Sequence, residues 1–175
     1  MSLVALSGNV SGTGTLTIAA PNTNSNYTLT LPTNTATLGI NGPAFSAYAS
    51  TTTTLSAGTW TKINYATEDW DTNSNFASNR FTPTIAGYYQ INAQFGEGLS
   101  TASMGLYISI YKNGTAFRKT QSITPTAFYT TVAINAMVYC NGSTDYIEIY
   151  AYTSSAYTNT AGVANWFDAT LVRGA

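Results

Sequence analysis

The sequence predicts an all-β sandwich or jelly roll preceded by a short β arm. Three observations carry that reading. Apolar residues recur with period two in many short segments, turn residues stand between those segments, and nowhere does a stretch keep helical periodicity. With 175 residues the chain has room for one domain with its own core plus an appendage, and too little for two ordinary domains.

The arm comes first, over residues 1–40. GTLTIAAPN at 14–22 and YTLTLPTN at 27–34 form a degenerate repeat, with a third alternation, TATL, at 35–38. Each is a short strand stopped by a breaker. Strands this short and this poor in large apolar residues bury no core within one copy. Leu16, Ile18, Leu29 and Leu31 are therefore expected to dock on a partner surface or on identical chains, with a flexible low-complexity linker as the alternative. The GING-Pro stretch at 39–43 interrupts the alternation and marks the start of a domain over 41–175.

Within the domain, strands are expected at 45–48, 59–63, 75–81, 87–95, 105–111, 130–140, 145–152 and 166–172. In the segment 85–95, Tyr89, Ile91, Ala93 and Phe95 fall on one side and Tyr88, Gln90, Asn92 and Gln94 on the other. Ile108 and Ile110 alternate with Tyr107, Ser109 and Tyr111 before Asn113-Gly114, a pair suited to the positive φ of a two-residue hairpin. A second Asn-Gly, at 141–142, predicts another. Pro83 has no N–H for a ladder and belongs at a strand entry, while Gly87 marks a close backbone approach or a bulge. Cys140 is alone, so it forms no intrachain disulfide, and it shares a face with Val132, Ile134 and Val138 as a small buried hydrophobe. In 146–152 the core takes Ile147, Ile149 and Ala151, which leaves Tyr146, Glu148, Tyr150 and Tyr152 facing away. Thirteen tyrosines are hard to use in one core. Tyr88, Tyr146, Tyr150 and Tyr152 are accordingly candidates for a subunit interface, where a ring is buried and its hydroxyl finds a partner.

Composition excludes several functions. Only 7% of residues are charged, the net charge is −1, and the six cations are scattered, which argues against counterion-release binding of nucleic acid. No run of about 18 apolar residues is present for a membrane span, and residues 1–20 lack a basic segment followed by an apolar one, so no Sec signal is expected. The absence of histidine removes Ser-His-Asp and Cys-His nucleophiles, an imidazole base and His-ligated zinc. A glycosidase pair of Glu148 with Asp145 or Glu97 is not favoured, because their strand positions face different ways. Glu68, Asp69 and Asp71, in TEDWD at 67–71, are calcium candidates, with solvated loop charge as the alternative. Trp60, Trp70 and Trp166 are candidates for stacking on a glycan, with core and interface packing as the alternative. No other cofactor is expected.

An ordered series of motifs resembles the complement-head/tumour-necrosis-factor superfamily of trimeric jelly rolls. PAFSAY at 43–48 is similar to its opening strand; WTKINY at 60–65, WDTNSNF at 70–76, RFTP at 80–83 and AGYY at 86–89 follow in the family's order. YKNG at 111–114 is similar to its hairpin and WFDATL at 166–171 to its closing strand. The resemblance implies a homotrimer of jelly rolls with about ten strands each. Two departures stand out: a longer turn at 142–145, and no collagenous Gly-X-Y stalk before the domain. The residues at 12–32 instead resemble segments of bacteriophage tail-fibre and head-fibre proteins.

Together these readings lead to the expectation of a non-enzymatic, homotrimeric bacteriophage virion protein, assembled in the host cytoplasm and docked by its arm to phage capsid or tail proteins at the virion surface. Capsid decoration, cement or head fibre comes first. A short tail fibre or tip binding a host-surface glycan is the alternative, and a free lectin-like trimer a more remote one.

Overall fold

The computed structural model describes residues 11–13, 42–99, 102–123 and 126–175, and nothing is stated of the side chains of Glu97 and Leu99. The chain divides into two compact units, Met1–Ala36 and Thr37–Ala175. In the first unit only residues 11–13 are described, and all three are exposed. The docking candidates Leu16, Ile18, Leu29 and Leu31, and the arm as a whole, lie outside the described residues.

All regular structure among the described residues is β. The strands are β1 (Ala44–Ala49), β2 (Thr54–Leu55), β3 (Thr61–Lys62), β4 (Thr67–Asp71), β5 (Phe76–Ala77), β6 (Arg80–Phe81) and β7 (Ala86–Leu99). They continue as β8 (Gly105–Lys112), β9 (Thr115–Ile123), β10 (Tyr129–Asn141), β11 (Ile147–Thr153), β12 (Tyr157–Thr158) and β13 (Gly162–Gly174). Sheet I has the order β10-β7-β13-β1-β4. Sheet II has the order β5-β6-β11-β8-β9, with β3 also on β11, and β12 pairs β2 apart from both. All these pairs are antiparallel, so each sheet has one face for a core and one for something else.

The core lies where the alternation put it. Tyr89, Ile91, Ala93 and Phe95 of β7 are buried, as are Ile108 and Ile110 of β8 and Ile147, Ile149 and Ala151 of β11. An aromatic knot ties the sheets together: Phe45 of β1 stacks on Phe76 at 4.4 Å and 10°, and meets Phe167 of β13 edge-on at 4.8 Å and 89°. Phe81 of β6 lies 4.8 Å from Phe45 and 5.4 Å from Tyr89. Cys140 is buried, and desolvation pushes its thiol up to about 11, so it stays a neutral packing group.

Turn chemistry explains the boundaries. Asn113 (φ 51°) and Gly114 (φ 76°) close the β8–β9 hairpin in the left-handed conformations that two-residue turns require. The expected single strand at 75–81 is instead a hairpin, because Ser78 (φ 53°) and Asn79 (φ 58°) are both left-handed and split it into β5 and β6. The Asn-Gly at 141–142 does not make the expected hairpin either. β10 pairs with β7 and β11 with β8, so this turn carries the chain from sheet I to sheet II. The Asn141 side-chain oxygen holds the turn by accepting the N–H groups of Ser143, Thr144 and Asp145, each at 3.0 Å. A Cβ on Gly87 would come within 2.5 Å of the Arg173 carbonyl oxygen, which is the close approach its position suggested. Residues 67–71, read as an acidic loop, form edge strand β4 on β1, and 115–123 add β9, a strand whose few large apolar residues gave no period-two signal.

Phe45→Ala should lower the unfolding free energy by about 3–5 kcal/mol in urea denaturation, because it empties the centre of the knot. A loss below about 1 kcal/mol would mean that the sheets are held together elsewhere.

Candidate functional site

Alternation gives each sheet an outward face, and the two faces differ in chemistry. On sheet II, β11 turns Glu148, Tyr150 and Tyr152 outward, with Tyr146 just before them; β8 adds Tyr107 and Tyr111 alongside. Tyr111 and Tyr150 stack at 4.1 Å and 28°, while Tyr107 and Tyr152 meet edge-on at 5.3 Å. Trp60, from the segment before β3, lies 5.5 Å from Tyr152, 6.2 Å from Tyr111 and 6.5 Å from Tyr107. The six rings are half-buried, each keeping part of its surface in solvent.

Beside this tier Glu148 is buried, only 3% exposed, although it faces away from the core. Lys62 of β3 donates to Glu148 Oε1 at 3.1 Å, and Arg80 of β6 donates from Nε at 2.9 Å while its guanidinium lies 3.8 Å from the Tyr146 ring centre. Burial alone would push the Glu148 carboxyl up, but the hydrogen bonds and charges of Lys62 and Arg80 outweigh it and hold it below the ordinary carboxylate value. Burial first, and then the Glu148 charge, raise the Tyr150 hydroxyl. A similar clamp holds Asp145, whose carboxylate accepts from Lys112 at 2.8 Å and Asn113 at 2.7 Å. With Glu148 and Asp145 each committed to such a network, neither is free for general acid–base work.

Sheet I presents amides and an apolar patch. Asn92 donates to Asp168 Oδ1 at 2.7 Å, and Gln94 donates to the Ala164 carbonyl at 2.8 Å. Burial outweighs the Asn92 hydrogen bond and raises the Asp168 carboxyl above its ordinary value. At one end of the face Tyr88, Met137, Tyr139 and Val172 are between 42% and 56% exposed. Tyr88 and Tyr139 touch at 5.5 Å, and Tyr88, Met137, Val172 and Arg173 line an open concavity of about 500 Å³.

The sequence candidates distribute unevenly over these faces. Tyr146, Tyr150 and Tyr152 share sheet II, whereas Tyr88 is on sheet I, so the four tyrosines form two surfaces. Of the three tryptophans, Trp60 joins the tyrosine tier; Trp70 on β4 and Trp166 on β13 belong to sheet I. Asp69 accepts from the Ser46 hydroxyl at 3.0 Å, and Asp71 accepts the N–H groups of Asn73 and Phe76 at 3.2 and 2.7 Å. Asp71 is thus a turn cap, Glu68 pairs with Ala47 on the far side of the bulge, and no group of three or more acidic side chains that could hold a metal occurs among the described residues. Lys62 and Arg80 escaped the sequence reading, since they stand 86 and 68 residues from Glu148. The one clue was a glutamate on the otherwise tyrosine-bearing outward face of a strand.

No protein-family model matches this chain, and no curated protein does. Among solved structures it is similar to the globular domain of zebrafish complement 1qA protein, with TM-score 0.56, 16% identity, 76% of this chain covered and 99% of that one. It is similar to Eiger TNF from S. frugiperda, with TM-score 0.60, 8% identity, and 77% and 96% covered. It is also similar to PRD1 vertex protein P5, with TM-score 0.53, 13% identity, and 75% and 74% covered. The chain therefore has the complement-head/tumour-necrosis-factor-like jelly-roll fold that its motifs implied.

The Glu148 and Asp168 carboxyls are shifted in opposite directions. Glu148 is depressed in the folded state, so its contribution is present above the unfolded value of about 4.3 and is lost as pH falls through its folded value. Glu148→Gln should flatten the acid limb of a stability profile, and an unchanged limb would remove Glu148 as its source. Asp168 is raised, so its contribution is present at acid pH and lost as pH rises. Asp168→Asn should raise the melting temperature at pH 7 and leave it nearly unchanged at pH 3.

Proposed function

We propose that this chain is a non-enzymatic, homotrimeric bacteriophage virion surface protein, assembled in the host cytoplasm and docked to the particle through residues 1–40. Its role is capsid decoration, cement or head fibre. The observation that carries the proposal is the likeness of the jelly roll to a phage vertex protein, PRD1 P5, over three quarters of this chain. The fibre-like repeat at 14–34 supports it from the other end of the chain.

The patch of Tyr88, Met137, Tyr139 and Val172 supports self-association. A cluster of exposed apolar side chains at one end of a sheet face costs free energy until it is covered. A second copy meets the composition of this patch, which is tyrosine-rich and bordered by one cation, Arg173. The tier on sheet II favours a second reading, a short tail fibre binding a host-surface glycan, because partly exposed rings beside charged side chains suit sugars. The same surface on a protein absent from particles would mark a free lectin-like trimer.

Native mass spectrometry at micromolar concentration should report a trimer, and Met137→Lys with Tyr88→Glu should yield monomers. A monomeric wild-type chain would overturn the architecture. Immunogold labelling with an antibody to residues 44–175 should decorate the heads of purified particles. Label confined to the tail would select the fibre reading, and unlabelled particles would remove the virion role. Deleting residues 1–40 should leave a folded trimer that no longer attaches.

A further inference from the structure

We propose that the outward face of sheet II is a binding site for acidic oligosaccharides, with Trp60 as the stacking residue and Lys62, Arg80 and Lys119 as its cationic rim. The proposal rests on the glycan-binding reading of this tier and not on where the protein resides.

Two independent observations point there. The first is the division of charge. The outward face of sheet II carries Lys62, Arg80 and Lys119 against one acid, Glu148, whereas Lys112 and Arg118 pair in register with the core-facing Ile147 and Ile110. Among the described side chains, the strands of sheet I carry four acids, Glu68, Asp69, Asp71 and Asp168, against Arg173 alone. The sequence hides this division because strands of the two sheets alternate along the chain. A nearly neutral protein therefore has one net cationic sheet face, and the aromatic tier lies on it.

The second observation is how the tier is built. Trp60 meets Tyr107, Tyr111 and Tyr152 at interplanar angles of 72°, 55° and 40°, so none of these rings lies flat on the indole, and it stays partly exposed. A partly exposed indole on which none of these rings stacks flat can offer surface to the apolar C–H face of a pyranose. Tyr150 and Tyr152 are two residues apart on β11, which spaces their rings by about 7 Å along the strand and extends the contact beyond one sugar. Polar partners flank both sides. Glu148 is buried, while Lys62 and Arg80 are about one-third exposed or more; the pair of cations neutralises the carboxylate and leaves one positive charge at the surface. On the other flank Lys119 pairs in register with Ser109, whose neighbours on β8 are Tyr107 and Tyr111.

Net positive charge selects for carboxylate, sulfate or phosphate on the sugar. Single-stranded nucleic acid also combines stacking with charge, but it needs a continuous cationic track along a backbone. Here the cations sit at the two edges of the tier, and the chain as a whole is at −1.

The test uses the purified full-length protein on an array of sialylated, uronic-acid and neutral oligosaccharides, with single-stranded poly(dT) as competitor. Acidic oligosaccharides should be retained, and retention should weaken as salt rises from about 50 to about 300 mM. Trp60→Ala should weaken binding by about tenfold or more. Because Trp60 is half-buried, the exposed Lys119→Glu is the second variant; it should weaken acidic ligands severalfold and leave the melting temperature unchanged. Retention of neutral sugars only, no retention, displacement by poly(dT) at equal strength, or indifference to both substitutions would overturn the site. Loss of the trimer in Lys119→Glu would overturn it too, since the face would then be a subunit contact.

Discussion

The ring of Phe45 is the hinge of the architecture. It belongs to β1 of sheet I, yet it stacks on Phe76 and touches Phe81, both at the edge of sheet II, while Phe167 closes it from behind. Each fully buried ring contributes about 1.5–3 kcal/mol from area alone, and each edge-on or offset pair about 0.5–1.5 kcal/mol more. In a chain with 7% charged residues the contacts that hold the two sheets together are mainly apolar, and this knot is their aromatic part. Once the knot sets that placement, period-two alternation decides what every other strand shows to the outside.

The outward faces then acquire unlike characters. Sheet I shows amides, acids and an apolar corner, which suits contact with protein. Sheet II shows rings, cations and one buried carboxylate. Burying Glu148 unpaired would be prohibitive, and Lys62 and Arg80 make it tolerable by supplying both charge and hydrogen bonds. Their approach also covers part of the strand that carries the tyrosines. The aromatic tier and the ionic cluster thus form one surface rather than two features side by side.

Much of the fold was legible. Strands with strong alternation, such as 87–95 and 130–140, were found with the correct face inward, because one buried side leaves a period-two trace. Weakly apolar strands left none: β9 offers Phe117 and Ile123 among polar residues, and β4 reads as an acidic loop. Ser78-Asn79 was missed because neither residue demands a left-handed backbone, although both adopt it. Asn141-Gly142 was correctly read as a turn and wrongly as a hairpin, since a turn motif specifies local reversal and not which sheet receives the next strand.

By itself the sequence determined the strand faces, the β class, the absence of imidazole chemistry and the order of motifs that resembles a trimeric jelly-roll family. These are properties of residue type and of spacing along the chain, which are local. Tertiary structure alone decided that Trp60 joins four strand tyrosines, that Trp70 and Trp166 do not, that Lys62 and Arg80 meet Glu148, and that Lys62, Arg80 and Lys119 share one sheet face. Those juxtapositions arise from strands far apart in sequence lying about 4.8 Å apart in a sheet, and one-dimensional spacing carries no trace of sheet order.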